Sequence, residues 1–79
     1  MYKIYFLIKE DRTKTYIGMT DSFDRRLLEH RSGKVHSTKE FGNFTYFELD
    51  TAEDFQEARK KERYYKSCAG RKKLKKFFQ

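Results

Sequence analysis

Tyr5, Tyr16, Arg26, His30 and Glu62 are the residues whose types and spacing could carry chemistry. The stretch "TYIGMTDSFDRRLLEH", residues 15 to 30, reads as the end of a strand, a turn, and a helix beginning near Asp21 or Ser22. At about 100° per residue, Phe23, Arg26, Leu27 and His30 share one arc of that helix, while Asp24, Arg25, Glu29 and Arg31 lie outside it. An ordinary amphipathic helix would carry aliphatic side chains at positions 26 and 30. The same anomaly recurs later, where Glu62 falls near the middle of an apolar arc drawn by Ala52, Phe55, Ala58 and Tyr65. A buried Arg, His or Glu is costly unless paired. Two arrangements satisfy that rule. One is an internal Arg26 to Glu62 salt bridge with His30 as a satisfied neighbour. The other is a cleft at a sheet edge, where Arg26 holds a phosphate, Glu62 binds a hard divalent cation, and a tyrosine or histidine moves a proton.

The elements that must position these groups are legible from pattern. "MYKIYFLIK" is rich in aromatic and branched residues and reads as a central strand covered on both faces. "EDRTK" is a polar turn, and "TYIGM" returns beside the first strand as a hairpin partner. Asp21 or Ser22 can cap the first helix, with Asp24 near its positive end. "RSGKVHSTKEFGN" is an irregular connection, long for so small a domain, and loops of that length are often functional. "FTYFEL" predicts a third strand. "TAED" matches a capping box with Thr51 as the cap, followed by a helix over residues 52 to 67. Ala69-Gly70 marks a stop, after which "RKKLKKFF" predicts a last short helix with Leu74, Phe77 and Phe78 facing inward. The order β-β-α-β-α-α gives a small α/β (α+β) domain over residues 1 to 79, a three-stranded, largely antiparallel sheet packed with helices.

Composition limits the partners. A chain of 79 residues makes one small core, and its 8 Phe and 6 Tyr mean that much of it is rings. The net charge of +7 is unevenly placed: residues 59 to 79 hold ten Lys or Arg against one Glu, while residues 1 to 58 are slightly acidic. Such a cationic end suits a polyanion, because each phosphate neutralised releases condensed counterions. Nucleic acid is the leading partner. A membrane surface fits less well, since "GRKKLKKFFQ" is short and carries few apolar residues for an interfacial helix. The lone Cys68 has no partner for an internal disulfide, and no signal peptide or apolar span of about 20 residues is visible, so the expectation is a soluble cytoplasmic protein.

Tyr5 in "KIYFLI", Tyr16 in "YIG" eleven positions later, Arg26 ten beyond that, His30 one helical turn on, Glu62 in the second helix and "HS" at His36-Ser37 together resemble the GIY-YIG nuclease signature. The resemblance runs through almost the whole chain. It is closest to the small single-domain members, which are similar to the nuclease domain of the excision-repair protein UvrC and to the catalytic domains of GIY-YIG homing endonucleases. It implies hydrolysis of a phosphodiester bond, in DNA rather than RNA, with one Mg²⁺ or Mn²⁺ per site. In those terms Glu62 ligates the metal on the leaving-group side. Arg26 grips the scissile phosphate with its planar fork of donors. Tyr16, or less often Tyr5, deprotonates the attacking water. His30 orients the tyrosine or contacts phosphate. His36, Lys60, Lys61, Arg63, Lys66, Arg71, Lys72 and Lys73 are the candidate nucleic-acid contacts.

Three positions depart from the pattern. Lys3-Ile4-Tyr5 lacks the glycine of the first triplet, and Met19 stands where some relatives carry a lysine. No asparagine follows the second helix at the spacing of the extra active-site residue in certain homing and restriction enzymes. These departures keep a rival in view, a catalytically silent nucleic-acid-binding module on the same scaffold. A protein-interaction adaptor with a basic tail is the third reading.

Overall fold

The structure, a computed structural model, describes residues 1–75. Strands β1 (Tyr2–Lys9), β2 (Thr15–Thr20) and β3 (Phe44–Ala52) form one sheet in the order β2-β1-β3, both pairs antiparallel. Helix α1 (Phe23–Arg31) follows β2, a 3₁₀ turn (His36–Thr38) lies in the connection to β3, and α2 (Phe55–Lys66) and α3 (Cys68–Leu74) complete the order β-β-α-β-α-α. Among the described residues, no helix is long and apolar enough to cross a membrane.

The unbroken apolar run of β1 is explained by its central place, since successive side chains leave a strand on opposite faces and here both faces are covered. Ile4, Phe6 and Ile8 point to one side and pack with Ile17, Ala52, Ala58 and Leu74, beneath α2 and α3. Tyr5 and Leu7 point to the other and pack with Phe41, Phe23, Leu27, Phe44 and Tyr16, beneath α1 and its following loop. The first helix and the second therefore lie on opposite faces of the sheet. Only the rim of the sheet is within reach of both.

Several boundaries differ from the sequence expectation, each for a local reason. The third strand continues past Leu49 to Ala52, pairing Thr51 with Lys3 and Ala52 with Tyr2. A residue in a ladder cannot begin a helix, so Thr51 does not cap α2. Asp54 does, its carboxylate accepting the Glu57 N–H at 2.8 Å. Ala52 thus belongs to the strand, and α2 starts at Phe55 rather than at residue 52. Ser22 holds the N-cap position of α1 but makes no side-chain cap bond. Instead the Thr20 hydroxyl binds the Ser22 backbone on both sides, accepting from its N–H at 3.1 Å and donating to its carbonyl at 3.2 Å. Ala69-Gly70 is no stop. The break falls at Ser67, which caps α3, and Gly70 is buried inside that helix because a Cβ there would run into the backbone of Tyr64 and Tyr65. Leu74 is buried as expected, whereas Phe77 and Phe78 lie outside the described residues.

Candidate active site

Tyr5 sits mid-strand in β1, fully buried, opposite Gly18 of β2. That pairing leaves room for two rings. A Cβ at Gly18 would stand 2.5 Å from Tyr5 Oη and 2.8 Å from Tyr16 Cε1, so only glycine lets both phenols occupy the strand's edge. Tyr16, two residues earlier on the same face, lies with its ring centroid 6.1 Å from that of Tyr5. Helix α1 supplies the rest, because Arg26 and His30 are one turn apart and share its inward arc. Arg26 Nε donates to Tyr5 Oη at 3.3 Å, and His30 Nε2 lies 2.8 Å from the same oxygen. The His30 ring also meets Tyr16 edge-on at 5.0 Å between centroids.

These four groups form one connected cluster, and its charges are arranged. Arg26 Nη1 binds Glu29 at 3.2 Å, and its side chain remains 32% exposed. The internal Arg26 to Glu62 ion pair is not formed. Glu62 faces Arg59 at 3.9 Å and Lys66 at 3.8 Å instead, with its side chain 12% exposed. Burial pushes the Tyr5 phenol well above its ordinary value, against the pull of the neighbouring guanidinium, so Tyr5 keeps its proton at neutral pH. His30 is pushed the other way. Burial, and then the positive charge of Arg26, lower it to about 4, and it sits neutral in the fold.

That shift has a measurable consequence for stability. His30 titrates near 6.5 when unfolded and near 4 when folded, so between those values the unfolded chain takes up a proton that the native one refuses. Stability is fully present above pH 6.5 and falls as the pH drops toward 4, by about 3 kcal/mol over the window. Urea midpoints measured from pH 7 to pH 4 should show this slope, and a His30→Gln protein should flatten it.

Two hollows open along β2, one on either side of Gly18. Toward the start of the strand a cleft of about 510 Å³ is lined by Tyr16 with Lys66, Arg71 and Lys75 over an apolar floor. Toward its end a hollow of about 330 Å³ is lined by Arg25, Arg26, Glu29, Met19 and Phe55 among others. Helix α2 runs from one to the other, carrying Phe55 at one hollow and Lys66 at the second, with Glu62 one turn before Lys66. Glu62 itself lines neither hollow: it lies on the helix that covers the opposite face of the sheet to Arg26, and the structure does not bring it into the Tyr5, Tyr16, Arg26 and His30 cluster.

A family model, the GIY-YIG catalytic domain, matches residues 1–75. The chain belongs to the GIY-YIG family. Neither the comparison with curated proteins nor that with solved structures gave a match. A GIY-YIG domain places the chain among nucleases, which bind nucleic acid and generally use a divalent metal. Glu62 offers carboxylate oxygen, the ligand type that hard divalent cations take. Among the described residues no group of three or more His, Cys, Asp or Glu could enclose an ion. Mg²⁺ does not require such a cage, since it keeps most of its waters and takes one or two carboxylates plus substrate oxygens.

The other sequence candidates are distributed unevenly around this GIY-YIG site. Lys66 and Arg71 line the first cleft. Lys60, Arg63, Lys72 and His36 are exposed. Lys73 lies over the Tyr64 ring at 5.3 Å. Lys61 is committed internally, to Asp50 at 3.3 Å, Glu57 at 3.2 Å and the Thr51 carbonyl at 2.6 Å, where it ties the end of β3 to α2. Sequence reasoning missed Thr38, whose hydroxyl lies 2.6 Å from His30 Nδ1. It also missed Arg25 and Lys75 at the hollows. No periodicity marks a loop residue such as Thr38, and only its place two residues after His36 hinted at it.

Proposed function

We propose that this GIY-YIG domain is a metal-dependent endonuclease that hydrolyses phosphodiester bonds in DNA inside the cell. The observation that carries the reading is Arg26, whose guanidinium is tethered to the site by Tyr5 and by Glu29 yet left partly open to solvent and unpaired with Glu62. A cation held that way serves the phosphate rather than the fold. Its outward donors grip the scissile phosphate and stabilise the charge that builds on it as water attacks. Tyr16 is the general base, because it lines the open cleft while Tyr5 is buried and keeps its own proton. Tyr5 and His30 hold Arg26 and Tyr16 in place. Glu62 would hold the Mg²⁺ or Mn²⁺, which supplies neutralisation of the negative charge developing on the leaving oxygen. Lys66, Arg71 and Lys75 would follow the strand away from the cut through its phosphates, an attraction that weakens with salt.

The test is cleavage of single-stranded, nicked and branched DNA with Mg²⁺, with Mn²⁺ and with a chelator. Products should form with metal and stop with chelator, and a folded Glu62→Gln protein should lose most of the difference between the two. Salt-sensitive binding that yields no product under any of these conditions would replace this reading with the catalytically silent module.

A further inference from the structure

We propose that Phe55, backed by Tyr2, is a stacking shelf for one unpaired base of the strand whose phosphate Arg26 holds, so that the DNA taken is single-stranded at that point. The path of the strand rests on the nuclease reading above. The shelf itself follows from where α2 begins. The arc of α2 that meets the sheet carries Phe55, Ala58 and Tyr65, yet Ala58 is 0% exposed and Phe55 54%. The difference is one of level. Ala58 packs with Ile4, Phe6 and Ile8 in the core, whereas Phe55, in the first turn, comes to the sheet where β1 starts and meets the half-buried Tyr2 ring edge-on, 6.0 Å between centroids and 75° between planes. The helix start does not need that ring, since Asp54 caps it. Phe55, Tyr2 and Met19 line the hollow of about 330 Å³ at the end of β2, and Arg26 lines the same hollow from the other face of the sheet.

Charge and ring surface are divided between the two hollows, and the division names the occupant of this one. The cleft at the start of β2 has Lys66, Arg71 and Lys75 in its lining and no carboxylate, which suits phosphates. In the hollow at the end of β2 two guanidiniums are matched by two carboxylates, Arg25 with Asp21 at 3.3 Å and Arg26 with Glu29 at 3.2 Å. Such a balanced rim gives a polyanion little net attraction, so what the hollow offers is its rings. A flat, uncharged heterocycle fits them, and a nucleobase is one that arrives with a phosphate attached, within reach of the same hollow's Arg26. Stacking on an aromatic face is open to every base, so the shelf reads no sequence. It does read pairing. Bases in a continuous duplex are stacked on one another and turned inward, and only an unpaired or extruded one can lie on a protein ring.

The test is binding of a labelled oligothymidylate to the full chain in chelator, where nothing is cut, read by fluorescence anisotropy. Wild-type protein should bind the single strand more tightly than a duplex of equal length. Phe55→Ala and Phe55→Leu should each weaken single-strand binding about tenfold, the leucine keeping apolar contact with Tyr2 but offering no aromatic face. Neither should change the slope of affinity against salt, because no phosphate contact is lost. The chain has no tryptophan, so Phe55→Trp places a lone indole fluorophore on the shelf. Its emission should be quenched as the thymidine strand binds and stay nearly constant with an abasic strand of the same length. A leucine protein that binds like wild type, equal quenching by the abasic strand, or a wild-type preference for duplex would overturn the proposal. The nuclease reading fails separately. If metal yields no products while the quenching and the tenfold loss hold, the shelf stands as a strand-binding site. If single strands are cut and the Phe55 variants bind and cut them as wild type does, the nuclease stands and the shelf falls.

Discussion

Gly18→Ala should lower the cleavage rate about 10²-fold, the scale on which misplacing reactive groups by about an ångström acts. By propensity alone the change ought to help, since glycine inside a strand is weaker than alanine. Here the added methyl would lie 2.5 Å from Tyr5 Oη, 2.7 Å from Tyr5 Cζ and 2.8 Å from Tyr16 Cε1, all inside contact distance. Neither phenol has an easy retreat. Tyr5 is enclosed and bonded to both Arg26 and His30, and the β1–β2 register fixes the backbone opposite it. Relief must come by moving Tyr16 outward or by spreading the two strands, and overpacking of this kind costs about 1–3 kcal/mol. Urea denaturation alongside cleavage kinetics gives both numbers. An alanine protein with wild-type rate and stability would mean that the rings do not meet over Gly18.

Arg26→Ala should lower the cleavage rate more, by about 10²–10³-fold, because it removes the donors aimed at the phosphate. Its stability cost should be small by comparison, since the side chain is 32% exposed and its ion pair with Glu29 is a surface one. Arg26→Lys should recover little. A lysine has one nitrogen, whereas Arg26 uses Nε toward Tyr5 and Nη1 toward Glu29 and still leaves part of its fork outward. The alanine variant also carries an internal control. Arg26 is one of the two causes that hold His30 down, so the His30 titration followed by NMR should move up from about 4. Loss of cleavage without that movement would point to a wider collapse of the site.

What was legible in the sequence follows from how local the cluster is. Tyr5, Tyr16, Arg26 and His30 come from a contiguous strand, strand and helix, where alternation and helical phase fix which way each side chain points. Glu62 could be placed on a helix by the same phase, but not its partners. The salt bridge with Arg26 was a fair alternative because phase does not say on which face of the sheet a helix will lie, and α1 and α2 take opposite faces. The α2 cap was misplaced because Thr51 and Asp54 both suit a helix start, and pairing of Thr51 with Lys3 on β1 decided between them. Gly70 looked like a terminator because a helix interior disfavours glycine, and the close backbone of Tyr64 that requires it there is a tertiary fact. Thr38 was beyond pattern altogether, since its role depends on the irregular loop returning its hydroxyl to His30.

The place of β2 at the margin of the sheet has a consequence for how the protein behaves in a crowded solution. A strand with a bare outer edge is a template on which another copy can add, the first step of edge-to-edge aggregation. Here one end of that edge carries Lys66, Arg71 and Lys75, while at the other Arg25 and Arg26 are paired with Asp21 and Glu29, so two copies that meet through the first end meet like charge. The same three cations attract a phosphate backbone, so the charge that repels a second copy there favours a polyanion.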